Sequence, residues 1–425
     1  MLAMNAASAV DLLQVYFDAL ANDTRYAAAR AQYEADQEKV VQGRSALLPI
    51  IGASAGTSRN DDEIHGLQGN KTDKRYNSKS YALQLTAPLF RPQNWRQYQE
   101  SALQTELSES IFTQEKQTLI LRTAEAYFNV LNARDALNAI TQLRTAAGEQ
   151  LELARASFQV GTVTVTDVHE AQSRFDLASA QEISARNTLD VAHETLARII
   201  GHEPEHLAGF RPGVTLSRPE PADIAVWVDA AEKNDLGVQA QSLMREIAVR
   251  SLERERAGHL PTLDLVASVS RSHNPSVTTE RSNNKAVGLQ LDVPLYQGGA
   301  ISSRTREAAA LRIKADADLE EARRAAALAA REAYLGVTSG MAQVRALEAA
   351  QVSSASALES NRLGYKVGVR INIDVLNAQS QLADTLQQLS RARYDTVLAQ
   401  LRLKAAVGAL GEDEVRAINA LLGEK

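Results

Sequence analysis

Apolar positions change their period along this chain, and the changes come twice in the same order. Ile51, Ala53 and Ala55 alternate with Gly52, Ser54 and Gly56, and Tyr81, Leu83, Leu85 and Ala87 alternate with residues such as Gln84 and Thr86. A period of two predicts strands with two unlike faces. Leu263, Leu265, Ala267 and Val269 repeat the pattern, as do Val287, Leu289, Leu291 and Val293. Elsewhere the spacing is three or four, as in Leu137, Ile140, Leu143, Ala147, Leu151, Ala154 and Phe158. With no proline from Trp95 to Phe158, a helix over 95–158 is predicted, about 95 Å long at the usual rise. Globular helices average about 11–12 residues, so this one belongs to a rod or a tube.

The pattern divides the chain into a first unit over 1–201 and a second over 222–408. The first has helices over 24–47, 95–158 and 167–200 and strands about 50–57 and 80–88. The second has helices over 236–258, 300–365 and 374–407 and strands about 262–270 and 286–294. A short helix is expected over Asp11–Leu20, capped by Ser8, and another over Asp413–Leu422. The polar stretches Arg59–Ser78 and Arg271–Asn284 read as exposed loops, and Pro88 as the end of a strand. Residues 202–221, with Pro204, Pro212, Pro219 and Pro221, form a linker between the halves, and 409–425 a closing segment.

The two halves repeat one another in sequence. FQVGTVTVTDVHEAQSRF from Phe158 and YKVGVRINIDVLNAQSQL from Tyr365 align 207 positions apart without a gap as far as Gly201 and Gly408. Glu125-Ala126-Tyr127 recurs at the same offset as Glu332-Ala333-Tyr334. A repeat of this length implies two copies of one structural unit. Within it Val163 answers to Arg370, an unequal charge in otherwise matching turns.

Composition narrows the chemistry. The net charge is −6 and no cysteine is present, which counts against nucleic acid as a partner and leaves disulfides, thiolate metal sites and attachment of lipid to an N-terminal cysteine not expected in this sequence. No paired histidine spacing, phosphate loop or cleft of acids appears, so neither a metal, a cofactor nor an enzyme activity is expected. No run approaches 18 apolar residues, the length of a membrane-crossing helix. Met1–Val10 lacks a basic start, and no signal peptide is expected in this chain.

Periodicity by itself suits an ordinary half-buried sheet better than a membrane. Against that, the polar faces carry glycines and small residues, as a wide pore lining would, and nothing else in the chain could cover such a sheet. Strands of about ten residues cross a bilayer when tilted, and the smallest membrane barrels have about eight. Four strands would therefore have to be pooled between chains, since open edges are not tolerated in lipid; three chains would give twelve.

Six segments carry a family resemblance: SALLPIIGASA at 45–55, AEAYFNVLNARDAL at 124–137, FQVGTVTVTDV at 158–168, AGHLPTLDLVASVS at 257–270, LDVPLYQGG at 291–299 and GYKVGVRINIDVLNAQ at 364–379. The chain resembles the TolC family of outer-membrane channel proteins of type I secretion and multidrug efflux over essentially its whole length. The resemblance implies a mainly α fold with a membrane β-barrel: a homotrimer with a twelve-stranded barrel, a long periplasmic helical barrel, and an equatorial collar holding 202–221 and 409–425. It implies an exit duct of the Gram-negative outer membrane, contacting lipid and passing protein or small-molecule cargo. A periplasmic adaptor (membrane fusion protein) and an inner-membrane ABC transporter or proton-driven pump would open it. A soluble periplasmic coiled-coil scaffold or adaptor without a pore is the alternative, and the four strands argue against it.

The same resemblance assigns residues. Tyr365 and Arg370 are expected to face Thr166 and Asp167 as a gate latch. Residue chemistry alone reads Thr166 or Thr164 as the cap of the returning helix, and equally allows Asp167 merely to cap that helix with Arg370 solvated. Asp374 is expected to form an acidic ring in the lumen, with Asn377 where many relatives have a second acid, which weakens the expectation of block by multivalent cations; a first-turn acid favoured by the helix dipole is the alternative for Asp374. Val160, Gly161 and Thr162, and Val367, Gly368 and Val369, are expected to form adaptor-docking tips; a sharp turn alone would also account for the glycines.

Overall fold

The structure is a computed structural model and describes residues 9–65, 71–204, 206–211 and 213–423. In order, the elements are α1 (Leu12–Asn22), α2 (Thr24–Ser45), β1 (Ile50–His65), β2 (Lys71–Phe90), α3 (Pro92–Gln159), α4 (Val165–Ile200), β3 (Gly209–Phe210), α5 (Ile224–Asn234), α6 (Leu236–Ala257), β4 (Thr262–Ser276), β5 (Thr279–Asp292), α7 (Ala300–Lys366), α8 (Asn372–Ala406), α9 (Glu412–Asn419) and β6 (Leu422–Gly423). No helix among the described residues is long and apolar enough to cross a membrane. The chain forms two units with interleaved ranges, one over 1–31, 111–239 and 321–425, the other over 32–110 and 240–320.

The second of these contains an antiparallel four-stranded sheet ordered β1-β2-β4-β5. The alternation read from sequence becomes rows across it. Ile51 pairs with Leu85, Leu85 with Ala267, and Ala267 with Val287, so one face presents a continuous apolar row. One residue along, Gly52, Gln84, Ser268 and Ala286 make the row on the other face. The ends of the apolar row are bare, Ile51 being 65% and Val287 78% exposed, while Leu85 and Ala267 between them are half-buried. An outward apolar face of this extent is unstable in water and suits lipid.

The strands are longer than predicted. Of the segments read as loops, 59–65 and 71–78 are paired backbone, with 66–70 outside the described residues, and so is most of 271–284: Arg59 lies opposite Asn77, Asp61 opposite Arg75, and Asn283 opposite Arg271. Polarity hid them, because beyond an apolar belt a hairpin holds itself by its ladder and by cross-strand polar pairs. Arg75 reaches Asp61 at 2.8 Å, Tyr76 donates to Asp62 at 2.8 Å and Lys71 meets Glu63 at 2.8 Å. Nor does Pro88 end β2, which continues to Phe90 after a register shift at the proline, where a missing N–H costs least. At the other end of the fourth predicted strand, β5 stops at Asp292 and leaves Val293 outside it.

The other unit is helical and has its core around α3. Leu119, Tyr127, Phe128 and Leu131 meet Leu12 and Val15 of α1, Leu196 and Ile200 of α4, and Val397 and Leu401 of α8. Val415 and Ile418 of α9 and Leu422 of β6 close the cluster, and β6 pairs with β3. The recurring tyrosines hold the segment that joins the halves and Ala222 just after it. Tyr127 is fully buried and donates to the Ala208 carbonyl at 2.6 Å; Tyr334 donates to the Ala222 carbonyl at 2.5 Å. Burial pushes the Tyr127 phenol well above the usual tyrosine range, so it remains a donor at any physiological pH. The short α5 was not anticipated from sequence, although Asp223 caps it and Trp227 and Ala231 are its buried side.

Candidate functional site

Two helical hairpins end in the turns the repeat singled out. At Val160–Thr162 the Gly161 and Thr162 amides donate to the Phe158 and Ser157 carbonyls at 3.0 Å each. At Val367–Val369 the Gly368 and Val369 amides donate to the Tyr365 and Gly364 carbonyls at 3.1 and 2.9 Å. Each pair of bonds ends a helix with a left-handed residue, and Gly161 and Gly368 have φ of 78° and 79°. Val160 and Val369 stand 75% and 78% exposed at these ends.

The two turns then diverge. In the first, Thr164 caps α4: the Asp167 amide donates to its hydroxyl at 3.3 Å, while the Thr164 amide and hydroxyl donate to the Asp167 carboxylate at 2.8 and 2.7 Å. Asp167 is thus engaged as a cap partner, and Thr166 is exposed. In the second turn the corresponding residue is Ile371, which has no side-chain cap. Asp374, the counterpart of Asp167, is left to Arg370 at 3.6 Å. That pair is 58% and 33% exposed and contributes under about 1 kcal/mol, so it is easily exchanged. The Arg370 stem lies over Gly364, where a Cβ would come within 2.6 Å of the Arg370 Cγ.

Within one chain, therefore, Arg370 meets Asp374 and not Asp167. Tyr365 does lie within the influence of Asp167. Burial, and secondarily the Asp167 charge, hold its phenol above the usual tyrosine range. Asn377 accepts from Arg174 at 2.9 Å, which ties α8 to α4 beside Asp374. Sequence reasoning missed a second tie: the Gln150 amide donates to Asn372 at 2.5 Å, both buried. Leu376 sits among Leu151, Ala154 and Ala171 just beyond it. The available signal was a polar residue, Asn372, one position after the turn, where the first half has Val165.

This arrangement offers no acid, base or nucleophile in a cleft, and no metal-binding cluster occurs among the described residues. It offers two exposed apolar-glycine ends, held together by a few polar ties that are partly wet.

A family model described as outer membrane efflux protein matches residues 15–202 and 227–409. The chain is 32% identical over 431 residues to outer membrane protein TolC of Escherichia coli (strain K12), covering 98% of this chain and 86% of that protein. It is 34% identical over 422 residues to alkaline protease secretion protein AprF of Pseudomonas aeruginosa, covering 97% and 88%. Among solved structures, the Campylobacter jejuni CmeC outer membrane channel superposes with a TM-score of 0.84 at 18% identity, over 96% of this chain and 89% of that one.

Proposed function

Because the chain belongs to the outer membrane efflux protein family, we propose that it is a passive exit duct of the Gram-negative outer membrane for secreted protein or small-molecule cargo. Relatives named for protease secretion and for efflux support the coarse role of secretion and efflux channel. Three chains pool their sheets into one twelve-stranded barrel, because four strands cannot enclose a lumen. The helices extend into the periplasm, where a membrane fusion protein docks on Val160-Gly161-Thr162 and Val367-Gly368-Val369. An ABC transporter or a proton-driven pump supplies the energy.

The observation that carries the gating is the inequality of the two turns. Asp167 is capped and near Tyr365, whereas Arg370 holds only a wet, 3.6 Å pair with Asp374. In the closed assembly Arg370 gives up that pair to face Thr166 and Asp167. Charge-assisted bonds are the stronger kind, yet at about 1–3 kcal/mol each a docking partner can break them. Asp374 then lines the lumen as a ring of carboxylates, one per chain, with Asn377 uncharged next to it.

Single-channel recording in planar bilayers tests this. Arg370→Ser combined with Tyr365→Phe should raise conductance severalfold, and unchanged conductance would remove the latch. Asp374→Ala should shift the reversal potential toward lower cation preference; an unmoved potential would take Asp374 out of the lumen.

A further inference from the structure

The segment joining the two halves crosses a cavity of about 500 Å³ whose other walls are α7 and α8. The whole cavity lies in the helical unit. Its floor is apolar: Phe210, Leu216, Met341 and Val344. Phe210 is fixed there by stacking on Tyr394, with ring centres 5.1 Å apart. Its rim is the reverse of the chain as a whole. Arg211, Arg218, Arg345 and Arg393 line it together with a single carboxylate, Glu348, in a protein of net charge −6.

That carboxylate is already used, since Arg393 holds Glu348 at 2.7 Å. Arg211 gives its Nε to the Leu422 carbonyl at 2.7 Å, and Arg345 gives its Nε to the Met341 carbonyl at 3.3 Å. Among the described residues neither Arg218 nor Arg345 forms an ion pair, and neither does Arg211. Three guanidinium forks around one concavity repel each other until an anion enters. The volume is that of a small-molecule site, about 300–1,000 Å³. All the cations are arginines, whose planar forks suit tetrahedral and carboxylate oxygens. A carboxylate would satisfy one fork. A phosphomonoester, with about −1.5 to −2 charges and three oxygens, matches the surplus.

We propose that this pocket binds a phosphomonoester carried on an apolar body. The phosphate lies across Arg218 and Arg345 with Arg211 beside it, and the body rests on Leu216, Met341 and Val344. The same chemistry occurs on lipid phosphates and on soluble aryl phosphates.

Equilibrium dialysis of the native assembly in nonionic detergent against 1-naphthyl phosphate reads the site directly. The expected result is saturable binding at one site per chain, with no comparable binding of 1-naphthol or of inorganic phosphate. Arg218→Gln and Arg345→Gln, both exposed in the free chain, should each weaken it about tenfold. Met341→Trp, which fills the floor and keeps every arginine, should abolish it. Displacement by dihexanoyl phosphatidic acid assigns the site to lipid phosphates; naphthyl phosphate that this lipid does not displace assigns it to soluble ones. Equal affinity in the arginine variants overturns the proposal. So does the absence of saturable binding up to about 1 mM, the result expected if an acidic side chain of a second copy already fills the pocket.

Discussion

The two hairpin turns differ in how their returning helices are capped. Thr164 gives α4 a reciprocal cap with Asp167, while Ile371 gives α8 none and leaves Asp374 to Arg370. Thr164→Ala should lower the thermal midpoint of the assembly by removing a cap worth about 1 kcal/mol. Ile371→Thr should raise it and draw Asp374 away from Arg370; calorimetry showing neither shift would deny the caps their role. The Tyr365 phenol gives a pH test. Its pKa is raised by burial and by Asp167, so the neutral form is the one that packs. Its contribution is complete below about pH 10, where free tyrosine titrates, and is lost as pH rises through the higher folded value. Conductance of the wild type should therefore rise in strong base, and that of Tyr365→Phe should be indifferent to it. The unequal charge at Val163 and Arg370 was visible in the sequence. The capping of α4 was among the readings the sequence allowed, but whether Thr164 or Thr166 did it, and whether Asp167 was left for Arg370, was not, because an alignment shows equivalent positions and says nothing of which hydroxyl has reached which acid first.

Among the elements, the long helices were legible because a period near 3.6 persists over many turns and only a turn with Gly161 or Gly368 interrupts it. Strand ends were not. Residues such as Asp61, Arg75 and Asn283 carry no hydrophobic signal, yet they lie in register across the sheet, held by the ladder that the apolar belt starts. The paired tyrosines show what duplication preserves. Tyr127 donates to a carbonyl of the segment between the halves and Tyr334 to the Ala222 carbonyl just after it, but Tyr127 does so in a closed core and Tyr334 at a wetter surface. Tyr127→Phe strands the buried Ala208 carbonyl and should cost about 1–3 kcal/mol, and Tyr334→Phe about 1 kcal/mol or less. Chemical denaturation of the two variants checks the order; equal losses would mean that burial does not set the cost.

For the whole molecule, the decisive fact is that the sheet is incomplete. Among the described residues β1 and β5 each keep one edge unpaired, and the apolar rows leave Ile51, Val287 and Leu289 exposed. Such edges are not tolerated in a bilayer, so in the proposed trimer membrane insertion and the pooling of three sheets would be one event. Two substitutions of the same chemistry separate the faces. Leu289 lies on the apolar face, in the row of Ala87 and Leu265, and Gln84 lies on the other, in the row of Gly52 and Ser268. An arginine on the lipid side of a barrel costs about 2–4 kcal/mol at mid-membrane, whereas the lumen side tolerates it. Leu289→Arg should therefore lower the yield of trimer seen by native mass spectrometry of detergent extracts. Gln84→Arg should leave that yield intact and alter conductance. The reverse outcome would turn the sheet inside out, placing the small polar residues against lipid and the leucines in the lumen, and a barrel of that construction could not hold water.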